Sequence, residues 1–483
     1  MSSYQKFTKD IAIIGVTQLI IFLNGAIVLP IITKLLGPKD YGVWAQIIAT
    51  ISFITPIATL GLADSMLRFL ASEKNRGGIQ EGMYSVFVIV LLNTLIISGF
   101  LFLFATPISN FFGVGKILVQ ILSLIIILEC IINSVFLNFF RSFQEIKKCS
   151  FFLIFQTFGE VGLIFLAAVR GYGLLGAVLA LLVIRIVLFL IMGGLILKKI
   201  GGKIPNFSKI REYLQFGLPA VSISVSSLAL QSSDRYLIGF FLGGLFVGYY
   251  APAYLLGVLP MLFAAPFSFT LPTLLPKLYD ENRIDEVKTY LKYSLKYFLM
   301  IAIPSALGLS ILSKQLLLIL STSEIAQQGY LITPIIALSI LLLGTNNIAP
   351  YQVILLKKKT KVLGAIGGAA AFLNIGINFI LIPRFGIFGA AFAILLAYAF
   401  IFILTWYYAF KDLQFEIDWS SILKTVIASA LMAFLIIEFK LTTLPKTVLA
   451  IIFGALFYGV LMLLFGGINR AELEFLKSLF RKS

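Results

Sequence analysis

Five ionisable residues fall inside long apolar stretches of the chain: Glu129, Glu160, Arg185, Asp234 and Arg235. A charge in a lipid-spanning helix costs roughly 2.5–3.5 kcal/mol on insertion scales, so each is either paired or used. Arg185, Glu160 and Glu129 lie near the middle of their runs, and Asp234 and Arg235 in the outer third of another. A guanidinium forms paired hydrogen bonds to phosphate oxygens, so Arg185 is a candidate anion contact, or else the partner of Glu160 on a neighbouring helix. Arg235 offers the same chemistry, or snorkels outward beside Asp234. Glu129 is a candidate ion-coupling carboxylate, or pairs with a basic residue on another helix. The sequence has no histidine, and its two cysteines, Cys130 and Cys149, lie within or at the edge of apolar runs. Histidine base chemistry, a Cys/His metal site and a disulfide framework are thereby excluded, and neither a catalytic set nor a cofactor is expected.

The elements that hold these residues are membrane spans. Of 483 residues, 60% are hydrophobic and 12% charged, with mean hydropathy +1.03, well above the roughly 45–50% apolar content of soluble domains. Fourteen apolar runs long enough to cross a bilayer can be read, the first from Ile11 to Thr33 and the last from Thr447 to Phe465. Six precede the polar stretch from Lys198 to Glu212, six follow it and two close the chain. The net charge of +17 would suggest nucleic acid in a soluble protein, but its placement follows the positive-inside rule. With both termini cytoplasmic, outer segments carry only Lys34, Lys39, Lys116, Arg170, Lys314, Arg384, Lys440 and Lys446, and most other basic residues face anionic lipid on the inner side. The expectation is a multi-pass plasma-membrane protein that does not bind nucleic acid. Lys288, Lys292 and Lys296, spaced by four, are expected on a helix face that meets inner headgroups or solvent. The tail from Arg470 reads as a short amphipathic helix.

Leu36-Gly37-Pro38-Lys39-Asp40-Tyr41-Gly42-Val43-Trp44-Ala45 lies 206 residues before Leu242-Gly243-Gly244-Leu245-Phe246-Val247-Gly248-Tyr249-Tyr250-Ala251, with Leu, both glycines, an aromatic and Ala coinciding. A second match, Gly173-Leu174-Leu175-Gly176-Ala177 with Gly386-Ile387-Phe388-Gly389-Ala390, ends each six-span set. These point to a duplicated, all-α polytopic fold. The expected domains are an N-terminal six-helix lobe at 9–199, a C-terminal six-helix lobe at 210–411, two additional transmembrane helices at 418–466 and a cytoplasmic tail at 467–483. Because six is even, the two lobes are parallel, an arrangement that suits alternating access. Positions 213 residues beyond Glu160 and Arg185 are Leu373 and Tyr398, so any charged site belongs to the first lobe. Pro219, Pro252, Pro260, Pro266 and Pro272 are expected to kink the seventh and eighth spans.

Gly25, Pro30 and Leu35-Leu36-Gly37-Pro38-Lys39-Asp40-Tyr41-Gly42, with Gly61-Leu62 followed by Arg68, resemble the polysaccharide-transporter (Wzx-type) branch of the MATE-like exporter superfamily. Phe216-Gly217-Leu218-Pro219 and Asp234-Arg235-Tyr236-Leu237-Ile238-Gly239 resemble the same family. The resemblance implies a flippase, not an enzyme, that turns polyprenyl or dolichyl (pyro)phosphate-linked sugars from the cytoplasmic to the outer leaflet for surface glycan biosynthesis, in functional association with glycosyltransferases or a polymerase. It adds Arg68 as a candidate contact for entering phosphate, although as one of many inner-face cations Arg68 reads first as an anchor. The implied substrate-binding set is Arg185, Arg235, Arg68, Glu160 and Asp234. A cation-coupled drug or metabolite exporter and a lipid II flippase are the alternatives; the exporter usually needs a first-span carboxylate, where this chain has only Gln18 and Asn24 as midspan polar groups. Gly171-Tyr172-Gly173-Leu174-Leu175-Gly176 has the dinucleotide-loop pattern but joins two spans with no strand before it, and Gly113-Val114-Gly115-Lys116 lacks P-loop spacing.

Overall fold

The structure, a computed structural model, describes residues 17, 20, 24–439 and 443–467. Regular structure among them is helical throughout, as lipid demands, because only a helix or a closed barrel satisfies its backbone without water. In chain order the helices are α1 Asn24–Leu35, α2 Pro38–Thr59, α3 Leu62–Leu70, α4 Arg76–Leu103, α5 Ala105–Phe112 and α6 Lys116–Glu129. A π-helical segment, Cys130–Phe136, leads into α7 Leu137–Ser142, then α8 Ile146–Val169, α9 Gly173–Ile200, α10 Ile210–Leu242 and α11 Gly244–Gly257. After a 3₁₀ turn at Leu259–Ala264 come α12 Ala265–Asp280, α13 Ile284–Leu320, α14 Ser323–Gly329, α15 Ile332–Ile348, α16 Pro350–Leu356, α17 Thr360–Phe385, α18 Ile387–Asp412, α19 Trp419–Ile437 and α20 Leu444–Leu464.

Twelve helical segments are long and apolar enough to cross a membrane, thirteen with the bent α10, so fourteen is not reached among the described residues. The first expected span falls partly outside them, its described part being Thr17, Ile20 and the start of α1, and the expected amphipathic tail lies wholly outside. Of the expected proline breaks, those at Pro219 and around Pro260 and Pro266 are present, whereas Pro252 and Pro272 lie inside continuous helices. The α10 axis turns by 49° between Ile210–Pro219 and Ser224–Leu242. The eighth span is interrupted by the 3₁₀ turn that contains Pro260 and is followed at once by Pro266. A proline ring removes a backbone donor and crowds the preceding turn, which makes these the cheapest places to bend.

Two compact units meet in sequence at Ala251–Pro252. In the first, α8 packs on α9, α4 on α6, and α10 along α2 and α3. Its two copies of the glycine motif touch. A Cβ added to Gly42 would lie 1.9 Å from the Gly244 carbonyl oxygen, and one added to Gly248 would lie 1.9 Å from that of Pro38. Gly244 and Gly248 are the positions 206 residues after Pro38 and Gly42, so the contact is reciprocal, as at a two-fold axis. The stretch after α9 is fastened to α4: Arg76 and Gln80 donate to the Ile200 carbonyl, the Tyr84 hydroxyl to that of Gly201 at 2.6 Å, and the Glu81 carboxylate accepts the Asn206 N–H at 3.0 Å.

In the second unit α13 packs on α15 and α19, α15 on α18, α17 on α18 and α19 on α20. The lysine row at the start of α13 does not simply meet headgroups or solvent. Lys292 reaches Glu416 at 2.6 Å, and Lys296, itself buried, lies 3.7 Å from Asp418. These pairs fasten the 413–418 connector, and Asp418 also caps α19 through the Ser421 N–H at 3.0 Å.

Candidate functional site

Three of the six candidate residues form one ionic cluster in the first unit. Arg185 on α9 donates from Nε to Glu129 Oε2 at 2.6 Å and from Nη1 to Glu160 Oε1 at 2.7 Å, with a further bond to its own-helix Leu181 carbonyl at 3.2 Å. The cluster joins α6, α8 and α9. Gln156, one turn before Glu160 on α8, donates to Glu160 Oε1 at 3.1 Å, and Asn133 donates to Glu129 Oε1 at 2.6 Å. Asn24 of α1 approaches Glu160 Oε2 at 3.5 Å. Both acceptors and the guanidinium are almost fully withdrawn from the surface, with side chains 15%, 10% and 5% exposed for Glu129, Glu160 and Arg185. Among the described residues the charges do not cancel, since two carboxylates share one guanidinium.

The carboxylates line a cavity of about 420 Å³, whereas Arg185 stands behind them. One wall is a stripe of α8 that includes Cys149, Leu153, Gln156 and Glu160 at helical spacing. The opposite wall carries Glu129, Asn133, Leu137 and Arg141, four apart each time. In a uniform α-helix at 3.6 residues per turn such a row drifts steadily around the axis. The wider π turn at Cys130–Phe136, with its i→i+5 hydrogen bonds, drifts the other way and so keeps Glu129 and Arg141 on one face. From Cys149 to Glu160 the wall climbs 11 residues, about 16 Å at 1.5 Å per residue. The cavity therefore runs from Arg141 at the basic end of these helices to the carboxylates at midspan.

The other candidates lie elsewhere. Asp234 is wholly buried, accepting the Tyr250 hydroxyl and, at 2.8 Å, the Arg235 N–H. Its carboxylate thus holds α10 to the segment after Gly244. Gln46 donates to the Arg235 carbonyl at 3.4 Å, which ties α2 to the same place. Arg68 is exposed at the end of α3, its guanidinium over the Phe216 ring at 4.5 Å. None of these three lines the cavity. Sequence reasoning missed the cavity roles of Asn133, Gln156 and Arg141. The first two carried a readable signal, an amide four residues from an intramembrane carboxylate on the same helix. Arg141 is lost among the many basic residues of its side of the protein.

A bundle of membrane-length helices that buries an ionic cluster at midspan, beside a polar cavity, is an arrangement suited to moving a polar solute across a membrane. The comparisons with known proteins agree. Residues 7–278 match the model of the family described as polysaccharide biosynthesis protein. The chain belongs to that family. Among curated proteins it is 25% identical, over 282 residues, to the probable low-salt glycan biosynthesis flippase Agl15 of Haloferax volcanii, an alignment that covers 56% of this chain and 58% of the relative. Among solved structures it resembles the lipid II flippase MurJ in an inward closed conformation, with TM-score 0.74 at 20% identity over 93% of this chain and 98% of that one. An inward-facing MATE-family multidrug resistance transporter of the MOP superfamily follows, with TM-score 0.66 at 15% identity over 80% and 93%. The chain thus shares its fold with these two transporters.

Proposed function

We propose that the protein is a flippase for lipid-linked oligosaccharide, carrying polyprenyl or dolichyl (pyro)phosphate-linked sugars from the cytoplasmic to the outer leaflet by alternating access of two six-helix lobes. It acts in the plasma membrane with both termini cytoplasmic, downstream of glycosyltransferases. Family membership and the glycan flippase relative support the substrate class. The observation that carries a transport cycle is the Glu129–Arg185–Glu160 cluster, which leaves one formal negative charge unmatched at the floor of the cavity. A proton or cation taken up there would balance it, and Glu129, the most accessible of the three, is the ion-coupling group. Arg185 acts by holding the two carboxylates in place, which favours the pairing role over direct contact with phosphate. Arg68, Arg235 and Asp234 lie outside the lining of this cavity and are not assigned to its substrate contacts.

The exporter alternative is the weaker one, because α1 brings Asn24 rather than a carboxylate to the cluster. The test is reconstitution into vesicles that hold a fluorescent lipid-linked oligosaccharide on the inner leaflet. Protein-dependent appearance of the sugar to an added lectin is expected. Exposure no faster than in protein-free vesicles, across an imposed pH or sodium gradient of either sign, would refute the reading.

A further inference from the structure

The cavity is polarised along its length. Arg141 lies at one end, exposed, with one bond to Asn138 Oδ1 at 3.1 Å. About 16 Å deeper lie two carboxylates served by a single guanidinium that does not itself face the space. Between them the walls carry amides and hydroxyls, Asn133, Ser150, Gln156 and Thr157. The deep end is also rich in acceptors: besides the carboxylate oxygens, Asn24 Oδ1 is buried there without a hydrogen-bond partner among the described residues. A buried acceptor without a donor is costly, so the site suits a ligand that brings O–H or N–H groups.

We infer that the deep end of this cavity receives sugar, and that it admits neutral and amino sugars while rejecting acidic ones. The inference rests on the flippase reading and narrows its substrate. A hexose offers hydroxyl donors to Glu129, Glu160 and Asn24, and an ammonium group adds the positive charge the cluster lacks. A uronic acid presents a carboxylate to an excess negative charge in a medium of low dielectric constant, where like charges repel far more strongly than in water. The same field keeps the glycan's phosphate away from the floor, at the Arg141 end. The head group therefore enters sugar first.

The experiment uses three lipids on one carrier, bearing a hexose, a 2-amino hexose or the corresponding hexuronic acid. Flipping is measured in vesicles, and binding to the purified protein by the shift in its thermal unfolding. The hexose and amino-hexose lipids should move and bind at least about tenfold better than the hexuronate lipid. Glu129→Gln should shrink that ratio and Glu129→Asp, which keeps the charge, should preserve it. Equal handling of hexose and hexuronate lipids by the unmodified protein, or a ratio unchanged in Glu129→Gln, overturns the inference. If no lipid is flipped, the flippase reading fails, and the binding ratio still decides the polarity of the site. Because each ratio is taken within one variant, loss of folded protein does not imitate the effect.

Discussion

Replacing Arg185 with alanine removes the single positive charge from between two carboxylates that it contacts at 2.6 and 2.7 Å. All three side chains are at least 85% withdrawn from the surface, so solvent cannot take over its role. Removing one member of a buried ion pair costs about 3–5 kcal/mol, mostly because the other charge is left without a partner. Here two carboxylates lose their partner together, and a cavity is left on α9. Arg185→Ala is therefore expected to fall at the upper end of that range. Arg185→Lys should lie between, because an ammonium is a compact charge that cannot reproduce a fork whose Nε and Nη1 engage different carboxylates. A third variant separates electrostatics from packing. Arg185→Met combined with Glu129→Gln and Glu160→Gln removes every charge at once, and neutral replacement of a whole buried ionic group is often harmless or stabilising. It should unfold near the unmodified protein while failing to flip lipid. The assay is thermal unfolding in one detergent, paired with flipping normalised to the amount of inserted protein. The reasoning is refuted if Arg185→Ala is as stable as the parent, or if the triple variant is no more stable than Arg185→Ala.

Asp418→Ala should destabilise the second unit by about 1 kcal/mol or more, losing a helix cap and the partner of buried Lys296, while Glu416→Ala, at an exposed pair, should leave thermal unfolding unchanged. Lys292 holds the Glu416 carboxyl below its ordinary value; partial burial pushes the Asp418 carboxyl up, but the Ser421 bonds and the nearby lysines outweigh it and hold it down. Groups depressed in this way stabilise fully above the unfolded pKa of about 4, so the protection factors of residues 413–421, exchange corrected for its intrinsic pH dependence, should be level from pH 8 to 5 and fall only as acid protonates both. Gly42→Ala and Gly248→Ala should each weaken the fold, by about 1–3 kcal/mol for a forced overpacking. Because both act on one reciprocal contact, their double variant should cost clearly less than the separate costs combined; strict additivity would show that they do not share it.

The spans were legible because each is a long apolar run with a proline or charge at its edge, and α9 or α18 could be drawn to within a few residues from hydropathy alone. The kinks were legible for a local reason too, since Pro219 and Pro260 act on the turn in which they sit. What stayed hidden depends on helices far apart in sequence. Arg185 could be matched to Glu160 by depth, but its second partner, Glu129, lies 56 residues away on a helix whose rotation no periodicity reveals. The π segment that sets this rotation is a stretch of ordinary apolar and small residues, Cys130-Ile131-Ile132-Asn133-Ser134-Val135-Phe136, with no proline or glycine to mark it. Lys296 was misjudged for the opposite reason: its spacing with Lys288 and Lys292 is real, but the connector that covers it arrives from more than a hundred residues downstream.

The glycine motifs match 206 residues apart while the ionic residues have no counterpart in the later stretch, and the geometry supplies a reason. At the Gly42–Gly248 contact each copy of the motif presses its glycine onto the backbone of the other, so a side chain gained by either copy disturbs the same interface. Such a contact restrains both copies alike. The ionic cluster has no such restraint, because Glu129, Glu160 and Arg185 all belong to one copy and are satisfied within it. The second copy can place Leu373 and Tyr398 at the positions matching Glu160 and Arg185 without leaving any charge of the first unpaired. The duplication expected from sequence would thus fix the frame while leaving the chemistry of each copy free to differ. Under the proposed cycle, an ion or head group bound at this charge biases the equilibrium only by interacting unequally with the two states.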